Sequence, residues 1–278
     1  MCRLFGFRSE VPAAVHPSLV TEKNSLLQQS REHKDGWGIA SYHQGAQPLV
    51  AHGLGPAHCD PDFERVSSTV SARTVVAHIR LASVGAIDKR NTHPFIHGRW
   101  CFVHNGTVKN FAQHAAEVEA LIRPDLRAAI QGTTDTERCF YVFLTRLAQL
   151  QSLDGPACVE KVACALAETM GMVSAITDVP GELRSSMNFL VTNGDVMVAT
   201  RRNRSLFLSD TAPETGRRPH RHVSAPPKPG TQLEQFVLAS EQLSGEDHWH
   251  PIDEETILGV DSGLILHQWK VQDLCARP

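Results

Sequence analysis

The sequence predicts an α+β fold built in layers, and three observations carry that expectation. Short β-type segments open the chain, helical periodicity occupies its middle, and β-type segments return and run to the end. The 278 residues are 41% hydrophobic and 21% charged, the make-up of a globular protein with a sizeable core. One unit over residues 2–278 is expected. The only linker-like stretch, 211–230, is rich in Pro, Arg, His and Gly, lies too late to divide the chain into balanced halves, and reads as a long surface loop.

Taken in order, Cys2 to Arg8 alternates loosely and leads into Glu10-Val11-Pro12, a first strand starting almost at the chain terminus. From Pro17 to Gln29, Leu19, Val20, Leu26 and Leu27 recur at roughly helical spacing, with Pro17 suited to a first turn. Lys34 to Gly38 is a turn, since glycines at 36 and 38 permit backbone conformations other residues resist. Strands follow at Ile39–His43, Pro48–His52 and Thr74–Ile79, the last apolar at nearly every position, as a strand covered on both faces should be. Another, Trp100–Val103, ends in His104-Asn105-Gly106. Thr134-Asp135-Thr136-Glu137 has the form of a capping box, and Phe140, Phe143, Leu144 and Leu147 continue it with helical period. A second helix is expected over Cys158–Glu168, then strands at 188–192, 196–200, 206–209, 236–239, 256–260 and 264–271.

Charge and cysteine content exclude several functions. Twenty-seven Lys and Arg against thirty Asp and Glu leave a formal charge of −3 without a basic stripe, so nucleic acid is not an expected partner. The one cationic run, Arg201, Arg202, Arg204 and then Arg217 to His222, is broken by turn residues and reads as a solvated loop. No window is apolar enough to span a bilayer and no signal-peptide pattern opens the chain, so no membrane association and a cytoplasmic location are expected. The seven cysteines include no Cys-x-x-Cys, which points to buried thiols rather than disulfides or zinc. His78, His93 and His104 lack close metal-ligand spacing; scaffold hydrogen bonding is the expectation, with no metal or cofactor. His220-x-His222 and His248-x-His250 have no evident third ligand.

Cys2 follows the initiator methionine, and its small side chain suits aminopeptidase removal of Met1. The product would carry a thiol and a free α-amine on one carbon. An α-amine with a pKa of about 7.7–8.0 is partly unprotonated near neutrality, so nucleophile and base would come together. A cysteine at position two can also be accidental, and the motifs that follow it carry the argument further.

Cys2-Arg3-Leu4-Phe5-Gly6-Phe7, Lys34-Asp35-Gly36-Trp37-Gly38-Ile39, His78-Ile79-Arg80, Asn91-Thr92-His93-Pro94-Phe95, His104-Asn105-Gly106 and Thr134-Asp135-Thr136-Glu137 occur in that order. Together they resemble the glutaminase domain of class II glutamine amidotransferases, nearest to the short, stand-alone YafJ-like branch. Each motif alone is unspecific; six in register are not. The resemblance is strong from residue 2 to about 147 and weaker beyond. It implies a four-layer αββα sandwich of the N-terminal-nucleophile hydrolase type, with Cys2 as nucleophile at the end of a strand. It also implies glutamine or a γ-glutamyl compound as the small-molecule substrate.

The same resemblance assigns roles by motif. Arg80 would grip the substrate α-carboxylate, a planar anion suited to a guanidinium fork, and Ser83 keeps a hydroxyl where the family has Thr. Asp135 would hold the α-ammonium group, although an acidic residue in a helix's first turn is stabilised by the dipole without any substrate. Asn105-Gly106, taken bare, is a tight hairpin signature; in the family the Asn105 amide and the Gly106 N–H form the oxyanion hole. His93 would support the pocket. Two departures stand out: Val84 replaces the His of synthase-fused members, and nothing after the glutaminase motifs resembles a synthase. Ammonia would then pass to a separate partner protein, unless hydrolysis is itself the outcome. The reading from another class is a catalytically silent subunit that binds γ-glutamyl compounds and regulates a partner enzyme.

Overall fold

In the computed structural model, which describes residues 2–43, 47–209, 225–244 and 249–275, two antiparallel sheets face each other between layers of helices. The seven-stranded first sheet contains β1 (Arg3–Ala14), β2 (Trp37–Tyr42), β3 (Leu49–Gly53) and β4 (Ser71–Ile79). The second, six-stranded, starts with β5 (Phe95–His97) and β6 (Trp100–Thr107) and continues with β7 (Ser186–Thr192) and β8 (Met197–Arg201). The chain then returns to the first sheet for β9 (Phe207–Ser209), β10 (Gln235–Ala239) and β11 (Trp249–Pro251). It closes the second with β12 (Thr256–Val260) and β13 (Leu266–Lys270). Strand orders are β11-β9-β10-β1-β4-β2-β3 and β13-β12-β8-β7-β6-β5.

Period-two patterning builds three cores. Along β1, Leu4 points between the sheets with Val76, Val103 and Leu190, while Phe5 and Phe7 point outward. That outer face is covered by α1 (Leu26–Gln29) and α2 (Pro61–Thr69), with Leu26 and Phe63 buried against it. The outer face of the second sheet, with Phe102 and Phe189, is covered by α3 (Phe111–Ala120), α4 (Pro124–Arg127), α5 (Asp135–Leu150), α6 (Val159–Thr177) and α7 (Val271–Cys275). Each such aromatic, fully buried, contributes about 1.5–3 kcal/mol. The result is the expected four-layer αββα sandwich.

Several expectations need correction. The segment 17–29 is not one helix: a π-helical turn over Pro17–Thr21 ends where Glu22 N bonds Pro17 O, and Ser25 caps α1 separately. Asn105-Gly106 is not a hairpin turn. Both residues lie inside β6, paired with Asn188 and Met187 of β7, and that pairing fixes the backbone as extended. Thr134 does cap α5, its Oγ1 accepting from Glu137 N at 3.2 Å, but the Glu137 carboxylate accepts from Gln131 N and Gly132 N instead of returning to the cap. Arg201 and Arg202 are not in a solvated loop: Arg201 ends β8, and Arg202 is buried with Nε and Nη2 on Glu255 at 2.9 and 2.7 Å. Most of the 211–230 stretch, His220, His222 and His248 lie outside the described residues. Among those described, no helix is long and apolar enough to cross a membrane, and no group of His, Cys, Asp and Glu could hold a metal.

Candidate active site

The register that pairs Arg3 of β1 with Ile79 of β4 sets Cys2 alongside the residues just past β4. Leu81 is the direct contact. Its N–H donates to Cys2 Sγ at 3.4 Å, and the thiol donates back to the Leu81 carbonyl at the same distance. Burial pushes the Cys2 thiol pKa up, an effect the Leu81 N–H opposes. The resting group is therefore a thiol and needs a base to become a nucleophile. The turn before β2 holds the β4 end in place: Asp35 N donates to Arg80 O, Arg80 N to Gly36 O at 2.8 Å, and Ala82 N to Asp35 Oδ2 at 2.8 Å. Gly36 sits at φ 130°, a conformation only glycine adopts readily.

Arg80 is 2% exposed. One terminal nitrogen, Nη2, reaches the Val84 and Gly85 carbonyls at 3.2 Å each, while Nη1 is buried without a partner among the described residues. Across the cleft, the N-terminus of α5 presents Asp135, whose carboxylate accepts from Val108 N and from Thr136 N at 2.8 Å each. Ser83 is exposed and bonds Thr107 across 3.0 Å between hydroxyl oxygens. Cys2, Arg80, Ser83, His93, Gly106 and Asp135 all line one cleft. Asn105 is buried next to it, on the β6 face that looks toward the first sheet, with Oδ1 unpartnered among the described residues. Gly106 tolerates no side chain, since a Cβ would overlap the Ser186 carbonyl and the His104 ring. The free space is about 20 Å³, room for about one water.

His93 and His104 line the cleft and, with His78 packed against His93, form a hydrogen-bonded cluster. His104 Nε2 donates to the Ser186 carbonyl at 2.8 Å, which leaves Nδ1, 3.0 Å from Thr136 Oγ1, as an acceptor. His78 Nε2 lies 3.2 Å from the His104 carbonyl, and the His78 and His93 rings pack edge to face with centroids 4.0 Å apart. Burial pushes His78 down to about 3 and lowers His93 and His104 as well. These rings are neutral in the fold and titrate near 6.5 when unfolded. For His78, between that pH and about 3 the unfolded chain thus binds more protons, and stability should fall as pH drops through the window, by up to about 1.4 kcal/mol per pH unit; the lowered His93 and His104 act in the same direction. Urea midpoints at pH 7.5, 6 and 5 measure this; a flat series would contradict the buried neutral cluster.

Leu81, Asp35 and Thr136 were not among the residues expected from sequence, because their contributions are a backbone pair, a loop anchor and a ring contact. The Asp35 anchor lies within the Lys34–Gly38 motif and was legible there as a turn only.

Two facing antiparallel sheets between helical layers, with a cysteine entering the first strand beside the end of a partner strand, define the N-terminal-nucleophile hydrolase architecture. A solved glutamine aminotransferase class-II domain protein from Silicibacter pomeroyi has the same fold, with a TM-score of 0.65 at 18% identity over 97% of this chain and 98% of that one. The chain belongs to the class II glutamine amidotransferases, whose family model, described as "Glutamine amidotransferases class-II", matches residues 1–275. "Probable glutamine amidotransferase DUG3" of Saccharomyces cerevisiae is 26% identical over 226 residues, 72% of this chain. The match spans 63% of that yeast protein, less than two thirds of its length. A gamma-glutamyl-hercynylcysteine sulfoxide hydrolase of Mycobacterium tuberculosis is 35% identical over 118 residues, 39% of this chain and 50% of that protein.

Proposed function

We propose that this protein hydrolyses the γ-amide of glutamine or of a γ-glutamyl compound through a thioester on Cys2. The observation that carries the reading is that a buried thiol, an arginine with a free nitrogen and a helix-borne carboxylate share one cleft. Arg80 Nη1 supplies charge-assisted donors for the α-carboxylate, and Asp135 receives the α-ammonium group. Ser83 adds a hydroxyl beside the carboxylate. His93 supports the pocket through His78.

Removal of Met1 frees the Cys2 α-amine, which takes the thiol proton as sulfur attacks the γ-carbonyl. The carbonyl oxygen becomes negative and meets the Asn105 amide and the Gly106 N–H. Collapse breaks the C–N bond, and the departing amine takes the proton held by the α-ammonium group. Water, deprotonated by the same amine, then attacks the thioester, releasing glutamate and restoring the thiol. Orientation by Arg80 and Asp135 turns an encounter into an intramolecular step.

Identity to a gamma-glutamyl-hercynylcysteine sulfoxide hydrolase supports a γ-glutamyl conjugate as the natural substrate, with glutamine the simplest member of the class. The test is glutamate release from a panel of γ-glutamyl amides by protein whose mass shows Met1 removed; no release from any of them ends the proposal. Arg80→Gln is expected to lower kcat/KM by about 10²-fold, chiefly by raising KM, since it removes charged donors to a carboxylate. Steady-state kinetics with an unchanged KM would place the carboxylate elsewhere.

A further inference from the structure

We infer that Arg204 forms a subsite for an anionic group on the leaving amine, so that the preferred substrates are γ-glutamyl amides of amino acids or peptides. The inference rests on the γ-glutamyl amide hydrolysis proposed above and extends it to the other end of the substrate.

Cys2 has two flanks. On one, β4 delivers Arg80, and the amino-acid end of the substrate occupies that side together with Asp135. On the other flank β1 pairs with β10, and Ser240, just past β10, bonds Leu4 in both directions at 3.1 Å. In the facing sheet the same progression leads from Asn105 on β6 to Asn188 on β7. The inferred subsite takes the leaving amine on this flank, beside Ser240 and Asn188.

The segment that crosses from β8 to β9 is fastened there. Asn188 Nδ2 donates to the Arg204 and Ser205 carbonyls at 3.1 and 3.0 Å, and its Oδ1 accepts from Arg202 N at 2.8 Å. Ser205 Oγ donates to the Ser240 carbonyl at 2.8 Å. Asn203, at φ 61°, is held by Glu254 through its N–H at 2.6 Å. The backbone that carries Arg204 is thus tied to both sheets beside the cleft.

Its side chain is the exception in this segment. Arg201 pairs with Glu254 at 3.2 Å and Arg202 with Glu255 at 2.7 Å. Arg204 is half-buried, has no ion pair, and its Nε is buried without a hydrogen-bond partner among the described residues. Burial lowers its pKa with no carboxylate to offset the effect. Its charge also acts on His104, a residue of the Cys2 cleft, after burial, Asp135 and the Ser186 hydrogen bond. A half-buried guanidinium without a counterion among the described residues is stabilised when an anion completes it. Ammonia from glutamine brings none, whereas an amino acid carries a carboxylate on the carbon bonded to the departing nitrogen.

The experiment compares kcat/KM for γ-glutamylglycine, γ-glutamylglycinamide and the γ-glutamyl amide of ethylenediamine in the wild type, R204Q and R204E. The anionic-to-neutral ratio is independent of the fraction of correctly folded enzyme. It is expected to exceed one in the wild type, to fall about tenfold to hundredfold in R204Q, the loss typical of a charged hydrogen bond, and to drop below one in R204E, where the cationic amide becomes the best of the three substrates. A ratio that stays the same in all three proteins overturns the subsite and leaves the hydrolase reading standing. Absence of turnover of every amide by the wild type sinks that reading and the subsite together.

Discussion

Cys2→Ala is expected to lower γ-glutamyl amide turnover by at least about 10⁴-fold, the scale on which enzymes lose a covalent nucleophile. The fold should survive. Among the described residues the Sγ atom makes its hydrogen bonds to Leu81, and both are weak contacts of 3.4 Å. The stability cost of the change is about 1 kcal/mol, within the range of an ordinary core truncation of one atom. Thermal melts and glutamate release measured on the same preparation separate the two effects. The buried thiol adds a second requirement. Because burial raises its pKa, little thiolate exists near neutrality, and the base has to be adjacent. In this chemistry the base is the Cys2 amine itself, so protein that retains Met1 should be inactive even with its sulfur in place. Intact mass and activity of protein from the native cell decide this: Met1 present with full turnover would refute the N-terminal mechanism.

Asn105→Ala is expected to reduce kcat by about 10²–10³-fold with little change in KM, the effect of losing one oxyanion donor, about 2.7–4 kcal/mol of barrier. The structure makes this substitution a clean probe. Asn105 Oδ1 has no partner among the described residues, so its removal orphans no known hydrogen bond, and the backbone of β6 remains paired with β7. Asn105→Asp keeps the size and replaces the donor with a negative charge facing the developing oxyanion, and should be at least as damaging. A rise in KM at constant kcat for either variant would assign Asn105 to substrate binding and leave the oxyanion to other donors. Gly106 cannot be probed by the same means, since any side chain there collides with Ser186 and His104.

Much of the architecture is local information. The alternation through β1 and the apolar run of β4 follow from strand periodicity, and α5 from the Thr134 cap with its apolar stripe. Where local signals were weak, the expectation missed. The helix α2 has Asp60 as its cap and Pro61 at its first position but buries only Phe63 and Ser67, and α3 buries only Phe111 and Val118. Each carries only a short apolar stripe, Phe63 and Val66 in α2 and Phe111, Ala115 and Val118 in α3. The segment 17–29 carried helical spacing, yet Ser25 offered its hydroxyl as a new cap and divided it. Asn105-Gly106 carried a turn signal that pairing with β7 overrode.

The sequence by itself determined the layered α+β fold, and the order of its motifs pointed to class II glutamine amidotransferases, because strand period, helix caps and motif spacing are short-range properties of a chain. Only the tertiary structure decided that Cys2 meets Leu81 and that, among the described residues, Arg80 keeps one nitrogen free and Arg204, unlike Arg201 and Arg202, has no carboxylate. Whether a polar group is satisfied depends on partners from distant segments, and a linear pattern of residue types does not record which groups remain unpaired once the chain has packed.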